Sequence, residues 1–171
     1  MKALKNQFFF NYIIETAIKI DKIERGSRMI QSFFLLNKGG MCYLSRNYSD
    51  LEFDEALIGG FLAAIESLGT QVFKEGTISE IDYGHSKFVY TYEQELIAVA
   101  IVDENTDTEP IRSGLSNIIQ DFTSTFDVER LKEGDLSGVK EFHPLVDMKL
   151  QSLQKKKEDF VSKMDKWVDS F

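Results

Sequence analysis

Cysteine and proline are nearly missing from this chain: 171 residues contain one cysteine, Cys42, and two prolines, Pro110 and Pro144. A single cysteine excludes an internal disulfide framework and a thiolate metal cluster, and it fits a reducing, cytoplasmic compartment. Histidine is as scarce. His85 falls in an expected tight turn and His143 before a proline, and neither has Cys, Asp or Glu at metal-ligand spacing on its own element. Basic residues are outnumbered, 20 Lys and Arg against 28 Asp and Glu, for a formal net charge of -8. That argues against a general nucleic-acid binder, which needs a concentrated basic surface. No apolar run approaches the roughly 18 residues that span a bilayer. Phe8 to Ile14 is short, follows two lysines and has no small-residue cleavage site, so a signal peptide is not expected either.

What is present is apolar and aromatic, 43% and 12% of residues, enough for one compact domain plus an appendage. The chain is organised around Leu51 to Phe73, LEFDEALIGGFLAAIESLGTQVF, read as one amphipathic helix capped by Asp54 with Glu55 beside it. Leu57, Phe61, Ile65, Leu68 and Val72 line one face at 4, 4, 3, 4 spacing and are expected over the core. A second stripe of small residues, Ala56, Gly60, Ala63, Ser67 and Thr70, runs roughly opposite. Gly59 and Gly60 each cost about 1 kcal/mol relative to Ala inside a helix. Small residues admit another backbone, so cover on both sides is one reading, and a weakly optimised surface helix is the other.

Before this helix, residues 1–28 form an apolar leading segment, with a helix expected from about Leu4 to Glu24 and a strand still open. It could pack on the core, bind a partner helix or lie on a membrane surface. Ile30 to Leu36 reads as a buried strand, NKGG as a turn, and Met41 to Arg46 as the returning strand. After the helix come strands at Ile78 to Tyr83, Lys87 to Tyr92 and the fully apolar Leu96 to Val102. The two most apolar runs, Ile30 to Leu36 and Leu96 to Val102, are expected as adjacent central strands, and the short, charged Ile78 to Tyr83 as an edge. DENTDTEP is a loop into a helix set by Ile111, Leu115, Ile118, Ile119, Phe122 and Phe126. Residues 29–135 thus make the core. Residues 136–171 carry a C-terminal amphipathic helix in which Val146, Leu150, Leu153, Phe160, Met164, Trp167 and Phe171 follow a heptad broken at Lys157. The Phe160, Met164, Trp167 and Phe171 stripe is expected to be buried on its own domain or on a partner. The fold class is α/β of the α+β type: a three-layer α/β/α sandwich with a five-stranded, mainly antiparallel sheet in the order ββ-α-βββ-α-α.

Residues fit for catalysis or metal binding are few. Asn37 to Gly40 lacks the phosphate-loop pattern and no helix follows it directly. Cys42 reads as a packed small hydrophobe. Asp103 to Glu109 has alternating carboxylates but neither the glycine nor the terminal glutamate of a calcium loop. Lys155, Lys156 and Lys157 are followed at once by Glu158 and Asp159, an ordinary charged helix face. No cofactor and no metal are expected, and the chain is not expected to be an enzyme.

The order of elements, with SFFLLNKGG (32–40), CYLSRNYS (42–49), ALIGGFLAAIESLGTQVF (56–73) and HSKFVYTYEQELIAVAIVDEN (85–105), resembles the longin and roadblock group of trafficking domains and their archaeal relatives. Roadblock proteins place one helix before the first strand, which the leading segment could supply, so the choice between the two stays open. The likeness covers about Met29 to Glu129 and contains no catalytic motif. It implies a non-catalytic interaction module. Such domains pair through the first helix and an adjacent edge strand, and the pairs bind or regulate small Ras-like GTPases or assemble on membranes. The implied partners are a second copy or a related longin or roadblock domain, and a small GTPase, with peripheral membrane contact left open. The candidate pairing residues are Ala56, Gly59, Gly60, Ala63, Ser67, Thr70, Ile78 and Ile81, and the candidate partner-binding residues are Phe160, Met164, Trp167 and Phe171. The alternative is a small-ligand sensor of the PAS or GAF kind, which would need a pocket with convergent polar groups.

Overall fold

Period-two apolar runs set the sheet. In the computed structural model, which describes residues 29–50, 54–73 and 78–154, Ile30–Asn37 (β1) and Leu96–Asp103 (β5) are central and adjacent, as their two-sided burial requires. Cys42–Asn47 (β2) returns on the outer side of β1, and Ser86–Glu93 (β4) pairs with β5. Glu80–Tyr83 (β3) forms the far edge. The order is β2-β1-β5-β4-β3, antiparallel throughout. The β1–β2 turn closes at Gly40 (φ +85°), where Asn37 Oδ1 accepts from the Met41 amide at 2.9 Å. Strand β3 begins at Glu80, two residues later than Ile78, and Ile78 packs as a side chain on the helix layer.

Alternation along β5 sends Leu96, Ala98, Ala100 and Val102 to one face and Ile97, Val99 and Ile101 to the other. On the first face lies Thr108–Thr125 (α2), capped by Asp107, with Ile111, Leu115, Ile118, Ile119 and Phe122 buried. Between α2 and the last described helix lie a short helix, Val128–Lys132 (α3), and a 3-10 turn, Val139–Phe142. Helix α4 follows over residues 143–154. Leu131, Val139, Phe142, Val146 and Leu150 join the same core as α2, so 136–154 is continuous with the domain. Phe142 meets Phe122 and Phe126 edge to face within it.

Glu55–Phe73 (α1) covers the second face, completing the three layers. Its rotation differs from expectation. Leu62 is 1% exposed and sits in the core with Phe34, Leu36, Tyr90 and Ile97, flanked by Ile58. Leu57, Phe61, Leu68 and Val72, expected over the sheet, are exposed instead. The sheet already presents large side chains on this face, with Phe88 and Tyr92 beside those named. Small helix residues fit that surface, and large ones are displaced to the flank. Residues 1–28, the lysine run 155–157 and the Phe160, Met164, Trp167 and Phe171 stripe lie outside the described residues.

Candidate functional site

Helix α1 starts where Asp54 Oδ1 accepts from the amides of Ala56 (2.9 Å) and Leu57 (3.1 Å), and Ser45 donates to the Glu55 carboxylate. From there its surface divides in three. The inner line runs through Ile58, Gly59, Leu62, Ala63, Glu66 and Gly69. One outer flank is small and polar: Ala56, Gly60, Ser67 and Thr70 are exposed, and nothing stands within 4 Å of a β carbon on Gly60. The other flank is apolar, with Leu57 72%, Phe61 46%, Leu68 55% and Val72 58% exposed, and Ala64 between them.

The apolar flank leans toward the β3 side of the sheet. Phe61 meets Phe88 of β4 with ring centroids 6.1 Å apart, and Phe88 lies opposite Ile81 of β3. Ile81 is half-buried under the helix layer, and Tyr83, two residues on and on the same face, is 76% exposed. Helix stripe and strand edge therefore form one continuous surface, bounded by an outer strand with no neighbour among the described residues.

The expected pairing residues do not share this surface. Gly59 faces Gly40 in the β1–β2 turn, Ala63 stands beside the same glycine, and Ile78 contacts Gly69, so all three are taken up within the fold. Ala56, Gly60, Ser67 and Thr70 are exposed but lie on the flank away from Phe61; Ile81 alone borders the apolar stripe. The large apolar side chains of the exposed flank were visible in the sequence as a stripe, read there as the core face. The signal for their orientation was the aromatic content of the strands beneath.

The other candidates resolve quietly. Burial pushes the Cys42 thiol up to about 11, with Glu55 adding to it, so it is protonated at neutral pH. His85 is exposed, 3.3 Å from Glu104. His143 is held below its usual range, first by burial and then by Arg46. Asp107 serves as the α2 cap, and no three His, Cys, Asp or Glu side chains among the described residues could hold a metal ion. Among the described residues no helix is long and apolar enough to cross a membrane.

Two features had no sequence signal. Asp147 of α4 takes Arg46 of β2 in a two-point ion pair (2.7 and 2.6 Å) and also accepts from Tyr48, across about a hundred residues of chain. An open polar groove of about 550 Å³ runs between α2 and the end of β4, lined by Ser79, Thr91, Arg112, Ser113 and Ser116.

The architecture is longin- and roadblock-like: a five-stranded antiparallel sheet between helices, entered as ββ-α-βββ-α. Among solved structures the chain is similar to MglB of Myxococcus xanthus, at 16% identity and a TM-score of 0.45 over 57% of this chain and 85% of that one. It is similar to the Roadblock/LC7 domain from Streptomyces avermitilis at 10% identity and 0.45, over 56% and 87%. The gliding protein MglB from Thermus thermophilus gives 10% identity and 0.40, over 83% and 90%. No protein-family model matches the chain, and no curated protein matches it significantly.

Proposed function

We propose that this chain is a non-catalytic interaction module that pairs, through the apolar flank of α1 and the β3 edge, with a second domain of its own kind, a copy or a relative. The observation that carries this reading is the exposed line of Leu57, Phe61, Leu68 and Val72. Burying such side chains is worth about 1.5–3 kcal/mol each, and four in one patch beside an exposed Tyr83 mark an interaction surface. The adjoining edge strand offers backbone groups to another strand. A two-fold arrangement on this surface is self-complementary in shape. The resemblance to longin and roadblock domains extends the reading: the pair engages a small Ras-like GTPase or a trafficking complex.

Sedimentation velocity on wild type and Phe61→Glu, from low to high micromolar and at low and high salt, tests the pairing. Wild type should form a larger species as concentration rises. Phe61→Glu should keep its circular dichroism and melting temperature but stay monomeric, because a pair would bury its charge. A wild type that is monomeric throughout, with no co-purifying partner sensitive to Phe61→Glu, would overturn the reading.

A further inference from the structure

The outer strand carries charge of one sign. Glu80 lies on the α2 side of the sheet, where its Oε2 accepts from Thr108 at 2.9 Å and from Arg112 Nη1 at 3.4 Å. Side chains alternate along a strand, so Asp82 follows Glu80 on that side while Ile81 and Tyr83 belong to the α1 side. Both acids are exposed. The nearby cations sit inward of them. Arg112 is shared among Glu80, Glu109, Thr108 and the Ser79 carbonyl, and Lys87 stands opposite Asp82 on β4.

Two copies of one strand, paired antiparallel in one sheet, are related by a two-fold axis perpendicular to it, so each residue faces one on the same side. For β3 the registers centred on any of its first three residues put an acid opposite an acid. Centred on Ile81, Glu80 faces Asp82 of the second copy. Centred on Asp82 or on Glu80, that residue faces itself. Like charges directly opposite are destabilising, and the net charge of -8 on each copy adds repulsion at longer range.

We propose that the strand completing this edge belongs to a different chain of related build, one with Lys or Arg at the positions facing Glu80 and Asp82. The acids then attract that strand and repel a second copy, so the same two residues select the partner in both directions. This rests on the reading that the β3 edge is a pairing surface, and the test separates the two.

The probe is a charge-reversed copy of the chain itself, Asp82→Lys, alone and mixed with wild type, with Asp82→Asn as a milder change. In the register centred on Ile81 the introduced lysine faces Glu80 between two variant chains. In the register centred on Asp82 it faces the aspartate of a wild-type chain. Either way the tightest association in the set should involve Asp82→Lys, roughly tenfold tighter than wild type alone. Asp82→Asn should fall between. The gap should narrow at high salt, and adding Phe61→Glu should abolish association. Wild type associating as tightly as every variant and mixture, at all salt concentrations, would overturn the selection and leave the pairing surface standing. No association in any mixture, with every chain folded by circular dichroism and no co-purifying partner sensitive to Phe61→Glu, would overturn both.

Discussion

Gly40 and Gly59 meet backbone to backbone: a β carbon on Gly40 would stand 2.7 Å from the Gly59 carbonyl oxygen and 2.9 Å from the Ala63 methyl. One glycine closes the β1–β2 turn at positive φ and the other lies in the second turn of α1. Their contact fixes how closely and at what rotation the helix sits on the sheet, and hence which side chains it leaves outside.

Two neighbouring glycines should therefore answer the same substitution in opposite ways. Gly59→Ala drives a methyl into the Gly40 carbonyl and should destabilise by about 1–3 kcal/mol. Gly60→Ala meets nothing within 4 Å and should stabilise by up to about 1 kcal/mol through helix propensity. Thermal or urea melts of the two variants check this, and equal shifts would refute the close approach.

The rotation also predicts which leucines matter for folding. Leu62→Ala removes a side chain 1% exposed in the core and should cost about 2–5 kcal/mol. Leu57→Ala and Leu68→Ala, at sites 72% and 55% exposed, should change the stability of the monomer by no more than about 0.5 kcal/mol. Chemical denaturation at concentrations too low for association distinguishes them. A large loss at Leu57 would restore the opposite rotation.

Acid sensitivity should trace in part to Asp147. Burial works to raise its pKa, but hydrogen bonds from Arg46 and Tyr48 outweigh it and hold the carboxyl below its ordinary value. A carboxyl depressed by folding contributes stability above its unfolded pKa, and that contribution is lost as pH falls through the folded value. Asp147→Asn should accordingly lower stability by about 1–2 kcal/mol at neutral pH. The gap to wild type should close below about pH 4. A gap that persists unchanged into acid would show that the ion pair is not its source.

Cys42 offers a probe of the β2 edge. With its thiol pushed up to about 11 by burial, only about one thousandth is thiolate at pH 8. Iodoacetamide should label the native chain at least roughly a hundredfold more slowly than the urea-unfolded chain. Labelling at comparable rates would mean that this strand edge is open to solvent.

Much of the layout was legible one element at a time. Ile30 to Leu36 and Leu96 to Val102 read as central strands because only two-sided burial accounts for such apolar runs, and charged, short Ile78 to Tyr83 read as an edge, all three borne out to within two residues. The α2 core residues followed from their 3.6-residue spacing. The candidate site was legible only in part. Both stripes of α1 could be listed from the sequence, but the helix turns a third line, with Leu62 and Ile58, to the sheet and leaves most of both stripes exposed. The Arg46–Asp147 pair joins residues about a hundred positions apart and has no local pattern at all.

By itself the sequence determined the kind and order of the main elements from Ile30 to Thr125 and the sidedness of the strands and of α2, because periods of 2 and 3.6 and the punctuation of glycine and proline are local properties of a chain. Only the tertiary structure decided which side of α1 turns inward. Periodicity defines the faces of a helix without saying what lies beneath them. Here Phe34, Phe88, Tyr90 and Tyr92 fill the sheet surface, and Gly40 comes up to meet Gly59. At that packing density Gly59, Ala63 and Gly69 let the helix come close, Leu62 is seated among the strand side chains, and Leu57, Phe61, Leu68 and Val72 are left facing outward.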